Sequence, residues 1–418
     1  MFQTLRNAWQ IKDLRKKILY TLFMIVIFRL GSVIPVPLVN SQALTDLAQG
    51  GGLFGLLDQF SGGAFSQATI FAMSITPYVN SSIIMQLLTV AIPALERLSK
   101  EGEEGRKKIA SWTRYLTVVL AFIQATGLYF GIKGIVTTGH SFVAFIVITL
   151  TFTAGTAFLM WLGEQITEKG IGNGISVIIF AGIVARMPVT VRALYENFIA
   201  AGFTTVGIIK LVAIIIVAAL SIIFVVFVTD AERRIPVQYA KRMVGRKMYG
   251  GQSTHIPIKV AMAGVIPIIF AMSILTFPQT LGAMLGKGNT WNILPADTWG
   301  YMIVYFLLII FFTYFYTAIQ FNPIEISNNM KRNGGFVPGI RPGKPTSDFI
   351  NKVVVKITLA GAIFLGLIAI LPQLTGKVIG YPLAMGGSSL LIMVGVALET
   401  VKQIESQMLM RHYKGFLD

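Results

Sequence analysis

No cysteine occurs in the 418 residues, which excludes disulfides, thiolate metal sites and cysteine nucleophiles and is compatible with any compartment. Histidine is nearly as scarce: His140, His255 and His412 are the three in the chain, and all fall in loops or tails between apolar runs. No Gly-x-Ser-x-Gly, no His-Glu-x-x-His and no glycine-rich phosphate loop followed by lysine is present, so the motifs of hydrolases, zinc peptidases and nucleotide-binding proteins are missing. Charge is low as well, at 13% of residues against roughly 25% in a soluble domain. Acidic residues are missing from the centres of the apolar runs, which removes the usual proton or sodium relay of a secondary transporter. An intramembrane enzyme would need paired polar catalysts within those runs, and none is visible. The sequence thus implies no catalytic residues, no metal and no cofactor.

What is abundant is apolar surface. Hydrophobic residues make up 54% of the chain and the mean hydropathy is +0.71, the composition of a multi-pass membrane protein. Hydropathy places ten spans at 18–34, 68–92, 115–135, 142–162, 173–187, 206–228, 258–285, 301–319, 353–371 and 383–401. The first is basic at its N-terminal side and close to 20 residues long, but ends in Ile34, Pro35, Val36 and Pro37 rather than a small-residue cleavage site, so it reads as a retained span. Ten spans put both termini on one side. The loops on that side hold 27 Lys and Arg and the opposite loops 5, so both termini are expected in the cytoplasm.

The stretch 50–90 departs from this plain pattern. Leu53, Phe54, Leu56, Leu57 and Phe60 follow helical spacing, yet the run of about nine residues is far short of the ~20 needed to span. Gly50–Gly52 precede it and Gly62 and Gly63 follow it, which reads as a movable apolar segment on glycine hinges. A re-entrant loop and a pore plug both fit. In the following span Ile75 and Val79 lie four apart on one helix face, and Asn80, Ser81, Ser82 and Gln86 form a polar notch, open to reading as an interhelical contact or as a pore lining.

Two loops on the basic side are longer than a connection requires. In 229–259, Arg233, Arg234, Lys241, Arg242, Arg246 and Lys247 are interleaved with Val237, Tyr239 and Tyr249, and the alternation of Ile235, Val237 and Tyr239 suits an exposed strand of a hairpin-like arm that fits phosphate, an acidic protein surface or lipid headgroups. In 322–352, the string Phe336 to Gly343 holds Arg341 between two Pro-Gly pairs, which fits either docking or a tight turn. Arg29 is expected near the middle of the first span, where it should face protein, water or a partner rather than lipid. Pro77, Pro267 and Pro278, with the Gly170 to Gly174 lead-in to the fifth span, are expected kinks or breaks.

Several strings taken together carry a resemblance: Phe28-Arg29-Leu30-Gly31 with Ile34-Pro35-Val36-Pro37; Trp161 to Glu168; Gly170 to Ser176; Gly251-Gln252-Ser253-Thr254-His255; Ala263-Gly264-Val265-Ile266-Pro267; and Phe336 to Gly343. They resemble the SecY family, the channel subunit of the bacterial secretion translocon, over essentially the whole chain. That resemblance implies an all-α membrane protein of ten transmembrane helices in two pseudo-symmetric halves, residues 1–190 and 191–418, forming an hourglass pore with a short re-entrant plug helix near 53–61. It further implies a protein-conducting channel in the cytoplasmic membrane that passes unfolded preproteins and releases signal peptides and transmembrane segments sideways into lipid. The pore ring would be Ile75, Val79, Ile175, Ile179, Ile269 and Ile392, and the lateral gate would lie between the second and seventh spans. Arg233, Arg234, Arg246, Lys247 and Arg341 would dock the SecA motor ATPase or the ribosome, with SecE and a SecG-type small subunit as membrane partners. Two departures stand out: Val79 replaces a common Ile, and Ala261 replaces a common Asn of the gate's polar cluster.

Overall fold

The computed structural model describes residues 2–49, 58, 61–136, 142–196, 198, 205–239, 242–244, 247–249, 253–284, 298–379 and 387–414. The helices are α1 (Phe2–Gln10), α2 (Lys12–Gly31), α3 (Ser41–Gln49), α4 (Thr76–Ala91), α5 (Pro93–Lys100), α6 (Glu103–Gly131), α7 (Phe142–Lys169), α8 (Gly174–Tyr195), α9 (Thr205–Asp230), α10 (Ile266–Met284), α11 (Trp299–Gln320), α12 (Pro323–Arg332), α13 (Lys344–Ile379) and α14 (Gly387–Lys414). Each of the ten expected spans overlaps a helix of this set, least completely for 68–92 and 258–285. Among the described residues five helices are long and apolar enough to cross a membrane, or six if the bent pair α4 and α5 is one span. Of the other helices under the expected spans, α2, α6 and α14 carry charged turns at one end, and α10 has a shorter described apolar stretch.

The chain forms two compact units, one comprising Met1–Val212, Ser273–Tyr301 and Ile392–Asp418, the other Ala213–Met272 and Met302–Leu391. In the first, the second expected span is not one helix. Residues 61–75 run as turns, and α4 covers only Thr76–Ala91, 16 residues or about 24 Å at 1.5 Å per residue, short of a ~30 Å hydrocarbon core. The physical reason is proline at both ends. Pro77 sits in the first turn of α4, where its missing N–H costs nothing, so it starts a helix rather than kinking one. Pro93 holds Ile92 extended at φ −107° and ψ 113°, and α5 leaves at 102° to α4. The turn segment is buried in protein, the condition under which non-helical backbone is tolerated at membrane depth. It is tied to the end of the first span by Ile70 N–H donating to the Ile34 carbonyl at 3.0 Å and Val36 N–H donating to that of Ala68 at 2.7 Å. Phe71 stacks between Phe28 and Phe158, with ring centroids 6.0 and 5.9 Å away.

Arg29 is not at mid-span. It lies in the last turn of α2 and is exposed, where a cation complements the helix C-terminus.

In the second unit, the seventh expected span begins later than hydropathy implied. Ser253–Lys259 is strand β4, and the helix starts at Ile266 with Pro267 again in the first turn. Pro278 does lie inside α10. Strand β1 (Glu232–Tyr239) pairs antiparallel with β4 and, at its end, with β5 (Gly335–Phe336), giving the order β4-β1-β5. β2 (Arg242–Val244) and β3 (Lys247–Tyr249) close a second short hairpin. The arm is therefore a hairpin, as its alternation implied, but its apolar side is covered. Ile235, Val237 and Ile258 are buried with Met330, Val337, Ile350 and Val354 in a small core that joins both long loops to α13. α9 is apolar all round and exposes Ile209, Ile215, Leu220, Ile223 and Phe227, the surface of a helix facing lipid.

Candidate functional site

α8 starts abruptly because its lead-in is a built turn. Gly172 has φ +89°, which a side chain would disfavour. Asn173 caps the helix, its Oδ1 accepting from the N–H groups of Ile175 at 3.2 Å and Ser176 at 3.4 Å. A Cβ on Gly174 would lie 1.9 Å from the Gly163 carbonyl oxygen, so only glycine lets α8 cross α7 this closely. The Ile171 N–H donates to Thr21 Oγ1 at 3.0 Å, fixing the turn to α2.

Ile175, Ile179, Gly182 and Arg186 are spaced four, three and four residues apart and therefore share one stripe of α8. Ile175 reaches over Gly163, and both it and Ile179 are half-buried. Lower on the stripe, a Cβ on Gly62 would lie 2.5 Å from the Gly182 carbonyl oxygen, with Gly62 at φ +67°. Arg186 Nη1 meets Asp58 Oδ2 at 2.6 Å, the carboxylate side chain 4% exposed and the guanidinium 35%. Asp58 Oδ1 also accepts from Ser66 N–H at 2.8 Å, and its carbonyl accepts from Gly63 N–H at 3.0 Å. Gly62 is thus packed rather than a free hinge. The expected plug residues Leu53, Phe54, Leu56, Leu57 and Phe60 lie outside the described residues, as do Gly50–Gly52. Asp58 and Arg186 were missed by sequence reasoning. The available signals were that Asp58 is the one acidic residue between Asp46 and Glu96, and that Arg186 interrupts a long apolar run.

Ile75 caps α4, accepting from Val79 N–H at 3.0 Å, and is 1% exposed. It is buried with Phe28, Phe71, Leu162 and Ile178, and Val79 and Ile175 pack against the same cluster. Ile392 is buried near the start of α14, and Ile269 is half-buried near the start of α10 in the other unit. The polar notch points three ways. Ser82 and Gln86 follow Ile75 and Val79 on one face of α4, with Gln86 exposed. Ser81 donates to the Thr113 carbonyl of α6 at 2.8 Å and is an interhelical contact. Asn80 Oδ1 accepts from Ser273 Oγ of α10 at 3.3 Å.

Of the basic residues, Arg233 and Arg234 are exposed at the start of β1, with Arg234 Nε on Glu232 Oε1 at 2.7 Å. Lys247 stands in β3 opposite Val244, and Arg246 lies outside the described residues. Arg341 is exposed between Gly339 at φ +80° and Gly343 at φ +102°. Its carbonyl accepts from Thr346 Oγ1 at 2.8 Å, while Val337 is buried behind it. Among the described residues no cluster of acidic and histidine side chains could hold a metal ion.

Comparison with known proteins fits this arrangement. The chain is 48% identical over 432 residues to the protein translocase subunit SecY of Halalkalibacterium halodurans and 46% identical over 434 residues to that of Bacillus subtilis, covering 100% of both chains in each case. Its fold is similar to a solved structure described as a protein conducting channel, with a TM-score of 0.69 at 19% identity, covering 94% of this chain and 92% of that one. A canine Sec61 in a ribosome-channel complex is similar at a TM-score of 0.66 and 18% identity, with coverage of 94% and 92%. A family model described as SecY matches residues 69–401, and with relatives nearly half identical from end to end, the chain belongs to the SecY family.

Proposed function

We propose that this chain is the membrane-embedded channel through which unfolded secretory proteins leave the cytoplasm, and that it releases signal sequences and transmembrane segments sideways into lipid. Membership of the SecY family makes it a multi-pass translocase subunit rather than an enzyme. The observation that carries the reading is the α8 stripe, on which the ring candidates Ile175 and Ile179 are followed by Gly182 and Arg186, the two positions that hold the flank of the short glycine-bounded segment. Branched aliphatics without polar atoms exclude water from a constriction yet yield to a polypeptide passing through. The proposed ring is Ile75, Val79, Ile175, Ile179, Ile269 and Ile392, with residues 53–61 as plug and α4 against α10 as lateral gate.

Burial of an apolar signal segment at roughly 25 cal/mol per Å² drives its exit through that gate. The ten helices under the expected spans form two halves, 1–190 and 191–418, in the cytoplasmic membrane, with both termini cytoplasmic on the strength of the charge asymmetry. SecE and a SecG-type subunit are the proposed membrane partners. The arm and the Arg341 turn serve SecA or the ribosome, the latter supported by the ribosome-bound state of the similar Sec61 structure. Vesicles holding the chain with SecE, given SecA, ATP and a secretory precursor, test this: the precursor becomes protease-protected, and failure with correctly assembled protein overturns the reading.

A further inference from the structure

We propose that Thr21 and Thr167 are positioning residues for the pore ring: their hydroxyls fix the first turn of α8 and so set where Ile175 and Ile179 stand. This rests on the channel reading above. The two side chains make the same double contact from different helices. Thr21 Oγ1 on α2 donates to the Lys17 carbonyl at 3.0 Å and accepts from the Ile171 N–H at 3.0 Å. Thr167 Oγ1 on α7 donates to the Gly163 carbonyl at 2.9 Å and accepts from the Gly174 N–H at 2.9 Å. Each hydroxyl thus uses its one donor on its own helix and offers a lone pair to the turn between α7 and α8. A hydroxyl that already donates is the stronger acceptor.

Gly174 opens α8, where an N–H has no acceptor in its own helix. Ile171 is 3% exposed and clusters with Ala8, Leu14 and Ile404, so water is a poor substitute for the Thr21 hydroxyl. The approach is close on both sides. A Cβ on Gly170 would lie 2.5 Å from Thr21 Oγ1, and one on Gly174 would press on the carbonyl oxygen to which Thr167 donates. Ile175 follows Gly174 directly and packs over Gly163, and Ile179 stands one turn further along, so a shift of the turn is carried into both. The two contacts are not equal. Thr21 is half-buried, whereas Thr167 is at the exposed edge, where water can more readily stand in for its hydroxyl.

The test uses the chain assembled with SecE in vesicles. Valine keeps the volume and branching of threonine and removes the hydroxyl. Thr21→Val is expected to raise resting chloride leak about fivefold, and Thr167→Val by less. Thr21→Ser and Thr167→Ser keep the hydroxyl and are expected to seal like wild type. Export of a precursor with a full signal is expected to stay near wild type in all four, because a passing chain spreads the ring whatever its resting position. Thr117→Val is the control for a buried hydroxyl lost away from the turn: Thr117 Oγ1 donates to the Thr113 carbonyl of α6 at 2.7 Å, and its removal should leave the leak unchanged. Wild-type leak in both valine variants overturns the proposal. So does equal leak from the serine and valine variants, equal leak from Thr117→Val, or export that falls in step with the seal. Ile179→Asn with Ile269→Asn separates this from a failure of the channel reading: if that pair leaks and the valine variants do not, only the positioning role falls, and if neither leaks, the ring falls with it. If Thr21→Val does not assemble with SecE, Thr167→Val decides alone, a leak that Thr167→Ser lacks supporting the proposal and wild-type permeability overturning it.

Discussion

Asn80 and Ser273 hydrogen-bond across the α4–α10 junction at 3.3 Å. That is long for a hydroxyl donor, so the bond is weak. It links α4 to the part of α10 from Ser273 onward, within one compact unit. A side-chain bond between two helices at a proposed gate biases it toward the closed arrangement. Ser273→Ala should therefore lower the closed-gate preference by about 0.5 kcal/mol, which reads as a roughly twofold rise in export of a precursor with a shortened signal. Export of the same precursor with its full signal should hardly change. An unchanged ratio between the two precursors would assign the bond no role in the gate.

The proposed ring makes a different demand, because a closed constriction has to stay dry. Polar side chains at Ile179 and Ile269 let water bridge a constriction that branched aliphatics exclude. Ile179→Asn combined with Ile269→Asn should leak chloride and protons with no precursor present, while each single variant leaks less. The measurement is ion flux in vesicles of matched protein content, after assembly with SecE is checked. Wild-type permeability of a folded double variant sinks the ring.

The stripe Ile175–Ile179 and the aliphatic pair Ile75–Val79 were readable in the sequence because helical period is local. So was the alternation of Ile235, Val237 and Tyr239, which correctly gave a hairpin. What failed was local too, but of a kind hydropathy does not register. Residues 61–75 are as apolar as a helix, yet Ala68 and Ser74 take φ of 50° and 53°, and only burial against α2 and α7 repays such backbone. Pro77 and Pro267 are expected kinks or breaks and prove to be helix starts after a break, because a proline in an apolar run looks alike at a helix start and in its middle. Ser81 and Asn80 were grouped because they are adjacent, although neighbours on a helix point about 100° apart and these two face α6 and α10. Asp58 and Arg186 pair through the fold alone, and no spacing rule joins residues so far apart in the chain.

The small core beneath the arm predicts a change that separates docking from sealing. Ile258 is fully buried between β1 and the α12–α13 region, and Ile258→Ala should cost about 2–4 kcal/mol of local stability. The cost falls on the arm and the Arg341 turn together, since Val237, Val337 and Ile350 share that core. Limited proteolysis should cut within the loops sooner, and SecA-driven export should drop. Resting leak should stay at the wild-type level, as the ring candidates lie on other elements. A leak equal to that of the ring variants would show that the core supports the pore itself.

Arg341 separates a docking tip from a plain turn. Gly339 and Gly343 hold left-handed turns on either side of it, Thr346 Oγ1 binds its carbonyl at 2.8 Å, and Val337 anchors the string in the core. Its backbone is therefore fixed from three directions while its side chain is exposed. A partner that binds it loses little ordering entropy, and the guanidinium offers a planar fork suited to carboxylates or carbonyl groups. Reversal of one exposed charge seldom moves stability by more than about 0.5 kcal/mol, so Arg341→Glu should assemble with SecE and seal like wild type. Truncating or reversing a charge that becomes buried on docking costs roughly 2–5 kcal/mol, enough to remove most ATP-driven export. Arg341→Lys should fall between, keeping the charge without the fork. SecA ATPase stimulated by vesicles of each variant, read beside direct SecA binding, decides it. Wild-type stimulation by the Glu variant would make the loop a turn and nothing more, and would move motor docking to Arg233 and Arg234 at the start of β1, with the β2–β3 hairpin beyond them.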